Sequence, residues 1–98
     1  MGRLRYDSAL ESIIVDDVTL AHLKIVIGTK LRRQESFMLS WNPPGESGDG
    51  RLLAWIHPSI PLVMAFDEPG IVPVDPERVA HMIQTLNAHG ELIIEPNV

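Results

Sequence analysis

In the segment DDVTLAHLKIVIGTKLRR, residues 16–33, the spacing of the apolar residues changes from the alternation typical of a strand to the spacing typical of a helix. Apolar side chains recur at intervals of three and four, which predicts a helix with one core-facing stripe: Leu20, Leu23, Ile27 and Leu31. Asp16 or Asp17 can accept hydrogen bonds from the first free amides of this helix. Basic residues suit the negative end of its dipole, so we expect the helix to close at Lys30, Arg32 and Arg33.

The other side of this helix is not cleanly polar. Val18, Ile25 and Val26 lie off the stripe, so we expect them to expose apolar surface. Gly28 lies inside the helix, where glycine costs roughly 1 kcal/mol relative to alanine. We therefore expect another backbone or a ring to pack closely against Gly28.

Strand patterns lie on both sides of this helix. Alternating or β-branched residues predict two strands before it, at 3–7 and 11–15, and three after it, at 36–41, 52–57 and 60–66. Asp75-Pro76-Glu77 then begins a second helix, Gly90 ends it, and residues 91–95 form a last strand. The order ββαβββαβ predicts a single α+β domain over residues 1–98, with a mostly antiparallel sheet and two helices on one of its faces.

Composition excludes several classes of protein. The chain has 98 residues and no cysteine, which rules out disulfides, thiolate zinc sites and cysteine nucleophiles. Its longest apolar runs are about seven residues, where a membrane-spanning helix needs roughly twenty. The basic start of the chain lacks the apolar run of a signal peptide. We therefore expect a cytoplasmic protein that does not bind membranes.

The charge is unevenly distributed. Residues 1–51 are neutral overall, whereas residues 52–98 hold Arg78 as their one basic residue and carry the whole net charge of −5. A domain whose main function is to bind nucleic acid usually has a basic excess. One local basic patch remains a candidate anion or nucleic-acid contact, formed by Lys30, Arg32, Arg33 and Arg51.

Trp41 and Trp55 lie on successive predicted strands, so their indoles could approach each other if those strands pair. One interpretation is a core pair or an anchor on the sheet face. The other is a stacking platform for a base or a proline-rich peptide, with Arg51 beside it.

The sequence contains no pattern typical of catalysis. The histidines, at positions 22, 57, 81 and 89, lack the spacing of a helical zinc site, so we interpret them as solvated surface residues. No Gly-x-Ser-x-Gly elbow is present, and the glycine-rich segment 45–50 lacks a P-loop lysine. We expect no enzyme activity, no metal and no cofactor.

Several segments resemble a family of actinobacterial domains of unknown function that are about as long as this chain. The resemblance is carried by Thr19–Leu23, Val26–Gly28, Lys30–Arg33, Glu35–Phe37, Ser40-Trp41, Gly50-Arg51, Trp55, Pro58–Leu62, Phe66, Gly90, Leu92 and Glu95-Pro96. Some members of that family are labelled ATP-dependent DNA ligases. Such ligases need a Lys-x-Asp-Gly motif, and neither Lys24 nor Lys30 begins one. The resemblance implies no reaction.

These observations favour a non-enzymatic domain that acts through protein–protein contact, as a homodimer or with another protein. The alternative is an accessory nucleic-acid-associated module in DNA metabolism, which would use the basic residues at 30, 32, 33 and 51.

Overall fold

The strands and helices follow the predicted order. The structure is a computed structural model that describes residues 2–6, 13–42 and 50–94. Its elements are β1 (Gly2–Tyr6), β2 (Ile13–Val15), α1 (Asp17–Arg32), β3 (Phe37–Trp41), β4 (Leu52–Ile56), β5 (Leu62–Ala65), α2 (Pro76–His89) and β6 (Glu91–Ile94). The α+β class and the ββαβββαβ order are confirmed. The expected strand ends at Asp7, Glu11 and Glu95 lie outside the described residues.

The caps that the sequence predicts fix the ends of both helices. Asp16 precedes α1 and accepts a hydrogen bond from the amide of Thr19 at 3.0 Å. Asp75 caps α2 in the same way through the amide of Glu77, and Pro76 occupies the first turn. Gly90 ends α2 with a φ of 71°, the left-handed conformation that glycine adopts without a steric penalty.

The cap also changes the acidity of Asp16. Partial burial raises the pKa of this carboxyl. The hydrogen bonds that it accepts at the helix start and the positive charge of Arg78 lower the pKa by a larger amount. The net result is a pKa below the ordinary value of 3.8.

The strands form two sheets where the sequence pattern suggested one. The first has the order β2-β1-β5 and is antiparallel throughout. In the second, of order β4-β3-β6, β3 pairs antiparallel with β4 and parallel with β6. A parallel pair needs a long crossover connection, which the chain between β3 and β6 provides.

One hydrophobic core joins the inner faces of both sheets to the two helices. The stripe residues of α1 lie in it, and so does Val26, which is fully buried. The expectation that Val26 is exposed is therefore wrong, while Val18 and Ile25 are exposed as predicted. The broad buried face reflects the position of α1, which packs against both β1 and α2.

Gly28 is not in a tight contact. A Cβ atom added there would meet only the Arg32 guanidinium, at 3.8 Å. The expected close packing of a backbone or ring against this glycine is wrong.

Gly2 and Asp17 hold the start of α1 against the first sheet. Asp17 is buried, and its carboxylate accepts hydrogen bonds from the amides of Asp67 at 3.3 Å and Glu68 at 2.8 Å. A Cβ atom at Gly2 would lie 2.5 Å from a Leu20 methyl and 2.9 Å from an Asp17 oxygen. Any larger residue at this position would force the Leu20 and Asp17 side chains or the strand itself to shift.

Among the described residues, neither helix has the length and apolar composition needed to cross a membrane.

Candidate functional site

The predicted basic patch is divided between different partners. Lys30 is mostly buried; its ammonium group lies 3.0 Å from a Glu35 carboxylate oxygen and also contacts the Asn87 side-chain oxygen. It therefore joins the end of α1 to the end of α2. Arg32 and Arg33 are exposed, and in the described part of the chain their side chains make no hydrogen bond or ion pair.

Arg51 belongs to a polar cluster on the outer face of the β4-β3-β6 sheet. Its guanidinium donates to the Ser40 hydroxyl at 2.6 Å and 3.1 Å and lies 3.3 Å from a Glu91 carboxylate oxygen. The Ser40 hydroxyl donates in turn to Glu91 at 3.2 Å. Ser40 is fully buried although it lies on this outer face. The charge of Arg51 is therefore engaged by Glu91 within the domain.

The two tryptophans lie on opposite faces of the sheet. Trp41 pairs with Leu52, and Trp55 pairs with Met38, three residues before Trp41. Side chains alternate along a strand, so this odd offset places the indoles on different faces. Trp41 packs against the core, whereas Trp55 is 52% exposed. The two indoles therefore form neither one stacking platform nor a core pair; Trp41 alone packs against the core.

An apolar surface surrounds the Arg51–Ser40–Glu91 cluster. Strand alternation places Trp55 and Leu53 of β4, Met38 of β3 and Ile93 of β6 on the same outer face as the cluster. Leu53 is 48% exposed on this face. We call this surface the Trp55 face. Among the described residues β4 pairs only with β3, so β4 is an edge strand of this sheet.

The four histidines do not share one environment. His22 is 1% exposed, so the interpretation of it as a surface residue is wrong. Its Nδ1 lies 2.6 Å from the Val18 carbonyl oxygen, and its Nε2 lies 3.0 Å from the Asp75 amide nitrogen. Since a carbonyl only accepts and an amide only donates, Nδ1 is the donor and Nε2 the acceptor of this ring.

No three histidine, aspartate or glutamate side chains come together as a metal site would require within residues 2–6, 13–42 and 50–94.

A pocket of about 250 Å³ opens between α1, α2 and β6. This site has no local signature in the sequence because its residues come from three separate elements. Its lining comprises Thr19, Leu23, Arg78, His81, Met82, Thr85, Leu92, Ile93 and Ile94. One signal was visible in the sequence: Arg78 is the only basic residue among the last 47 positions.

A second groove, of about 490 Å³, lies between α1 and residues 66–74. Lys24 and Glu68 both line it, so its charges offset each other.

Comparison with known proteins adds a family but no activity. No curated protein and no solved structure matches the chain. A family described as a domain of unknown function, DUF7882, matches residues 1–97, which is almost the whole chain. The resemblance found in the sequence is thus confirmed at the level of the family, and the chain belongs to DUF7882.

Proposed function

We propose that this domain is a non-enzymatic protein-association module whose partner is a second copy of itself, held through the Trp55 face and the edge of β4. The observation that carries the proposal is the 52% exposure of Trp55 beside Leu53 on an edge strand. Exposed apolar surface next to a strand edge is costly in water and favours association.

The edge of β4 suits a twofold dimer. Two identical strands related by a twofold axis run antiparallel, which is also how β4 pairs with β3. If the axis passed through Ala54, Leu53 of each copy would face Trp55 of the other. Both apolar side chains would then become buried in cross-strand pairs on one face of a six-stranded sheet.

The charges on this face favour a second copy. The domain as a whole carries a net charge of −5, which repels a copy at long range. On the Trp55 face, however, Arg51 is paired with Glu91 and the surrounding residues are apolar. Two such faces can meet without opposing like charges.

The exposed face of the β2-β1-β5 sheet is a weaker candidate. It carries Ile14 and Val63, both more than half exposed, together with the exposed Arg3 and Arg5 of β1. A dimer formed there would bring arginines of the two copies together. This face therefore provides the matched control.

Light scattering at micromolar concentration tests the proposal. We expect the wild-type chain to have twice the monomer mass of 10.9 kDa, and Trp55→Glu to be a folded monomer by circular dichroism. Val63→Glu places the same charge on the other sheet and should leave the dimer intact. A monomeric wild type would refute the dimer, and dissociation caused only by Val63→Glu would move the interface to the other sheet.

The alternative, a nucleic-acid module, now depends mainly on Arg32 and Arg33, since Lys30 and Arg51 have acidic partners. Titration of a fluorescent oligonucleotide with wild type and an Arg32→Glu, Arg33→Glu variant separates the two functions. Salt-sensitive binding that the variant loses would support the alternative. Identical curves would favour the association module.

We further propose a cytoplasmic location, which suits a chain without cysteine and so without disulfides for an oxidising compartment.

A further inference from the structure

We propose that the pocket between α1, α2 and β6 binds a small organic acid, with an apolar body in the pocket and its carboxylate at Arg78. This ligand site does not depend on the proposed dimer, which would form through the Trp55 face and the edge of β4. The proposal rests on the contrast between the floor and the rim of this pocket.

The floor is apolar and formed by buried residues. Leu23, Leu92 and Ile94 belong to the buried core, and Met82 packs against them from α2. A ligand group placed on this floor would be removed from water, which favours a hydrocarbon or aromatic body. The volume of about 250 Å³ lies just below the range of drug-sized sites, so one ring or a short branched chain is the appropriate size.

The rim is polar and carries a positive charge. Arg78, His81, Thr19 and Thr85 line the pocket above the apolar floor. The Arg78 guanidinium donates to the Thr19 hydroxyl at 3.1 Å, which holds one end of the side chain against α1. A guanidinium fixed in this way can bind a carboxylate through its remaining N–H groups.

Arg78 has no acidic partner within ion-pair distance in the described part of the chain, unlike Lys30 and Arg51. The positive charge of Arg78 does reach the carboxylate of Asp16 and helps to lower its pKa. Asp16 is engaged by the amide of Thr19 at the start of α1. The charge of Arg78 is thus only partly offset and remains available to a ligand anion.

The combination of charge and apolar floor selects the ligand class. An inorganic anion would leave the floor empty, and a neutral hydrocarbon would leave the guanidinium without an anion. A molecule with both parts satisfies the whole pocket. The second groove, which Lys24 and Glu68 both line, offers no such selection by charge.

Phenylacetate is a suitable probe because it joins one ring to one carboxylate. A ligand of about ten non-hydrogen atoms should bind with a dissociation constant on the order of 1 mM. Amide chemical shifts in ¹H–¹⁵N spectra of the full chain should change in a saturable way at Thr19, Thr85 and neighbouring lining residues. Phenylacetamide has the ring without the charge and acetate the charge without the ring, so each should bind at least tenfold more weakly.

Variants test the two parts separately. Arg78→Gln should weaken phenylacetate binding about tenfold while the spectrum stays that of the folded domain, since a lost charge-assisted contact has about that effect. Thr85→Trp should fill the pocket and abolish binding. Arg33→Gln removes an exposed arginine elsewhere and should leave binding unchanged.

Three outcomes would overturn the proposal. One is the absence of saturable shifts up to roughly 20 mM phenylacetate, well above the expected constant. The second is equal binding of phenylacetamide, which would show that the guanidinium does not contribute. The third is unchanged binding to both Arg78→Gln and Thr85→Trp, which would place the ligand outside this pocket.

Discussion

Replacing the buried His22 by phenylalanine should lower the free energy of unfolding by about 2 kcal/mol. The ring joins two elements, because it bonds to the Val18 carbonyl at 2.6 Å and to the Asp75 amide at the start of α2 at 3.0 Å. Phenylalanine keeps a planar ring of similar size in a site that is 1% exposed but makes neither bond. Each intramolecular hydrogen bond contributes about 1 kcal/mol net, so the two together give the expected loss.

This loss is large relative to the stability of such a domain. Native domains of this length unfold with a free energy of about 5–15 kcal/mol. The melting temperature should fall by roughly 10 °C. Urea unfolding measures the free energy directly, and the slope against urea should stay the same because the folded state buries the same surface.

Two further variants separate the two bonds of this histidine. Asparagine at 22 offers a donor near the position of Nδ1, and glutamine offers an acceptor near that of Nε2. Only His22→Gln should therefore keep the Asp75 amide protected in hydrogen exchange, whereas His22→Asn and His22→Phe should lose that protection. His81→Phe makes the same change at an exposed site of α2 and should alter stability by less than about 0.5 kcal/mol.

Unfolding of His22→Phe at the same urea concentration as His81→Phe would contradict a role for these two hydrogen bonds. Equally fast exchange of the Asp75 amide in the glutamine and asparagine variants would contradict it as well. Either result would show that the ring is held by packing alone.

Three further predictions concern stability. Gly28→Ala should stabilise the domain by up to about 1 kcal/mol in urea unfolding, because the new methyl group meets only the flexible Arg32 side chain; a loss of stability would indicate a steric contact. Asp17→Ala should cost about 2 kcal/mol and speed hydrogen exchange at the amides of residues 67 and 68, which the carboxylate holds; unchanged exchange would contradict that role. The Asp16 carboxyl has a lowered pKa, so its ionised form stabilises the fold above pH 3.8. This contribution disappears as the pH falls through the folded-state pKa. The stability of Asp16→Ala should therefore fall less steeply with acid than that of the wild type below about pH 4.

The helices were predictable from the sequence because the signals that fix them are local. Asp16 caps the start of α1 and Asp75 the start of α2, while Pro76 lies in the first turn of α2 and Gly90 ends that helix. Each of these residues acts on backbone groups only a few positions away. The division into two sheets was not predictable in this way. It depends on β5 returning to pair with β1 and on β6 joining β3 in parallel, and both pairings link distant parts of the chain.

The sites were less predictable than the fold because charge and burial depend on neighbours from other elements. Lys30 and Arg51 both belong to the predicted basic patch, yet Glu35 and Glu91 pair with them in the folded chain. His22 lies off the apolar stripe of α1, but the start of α2 covers it and bonds to its ring. The pocket at Arg78 exists only where α1, α2 and β6 meet.

For the tryptophans, the sequence predicts the alternation of side chains along each strand but not the register between the strands. Alternation along each strand correctly places Trp41 with Leu39 and Trp55 with Leu53. Which of these faces share a side of the sheet depends on the register of β3 against β4. A shift by a single residue would move every side chain of β4 to the other face and bring the two indoles to the same side.

The connection between these strands is ten residues long, too long for its turn type to fix the register. The observed register instead buries Ala54 and Ile56 against Leu39 and Phe37, which leaves Trp55 outside the core. The exposed indole on which the proposed dimer depends is thus a consequence of core packing on the opposite face of its own strand.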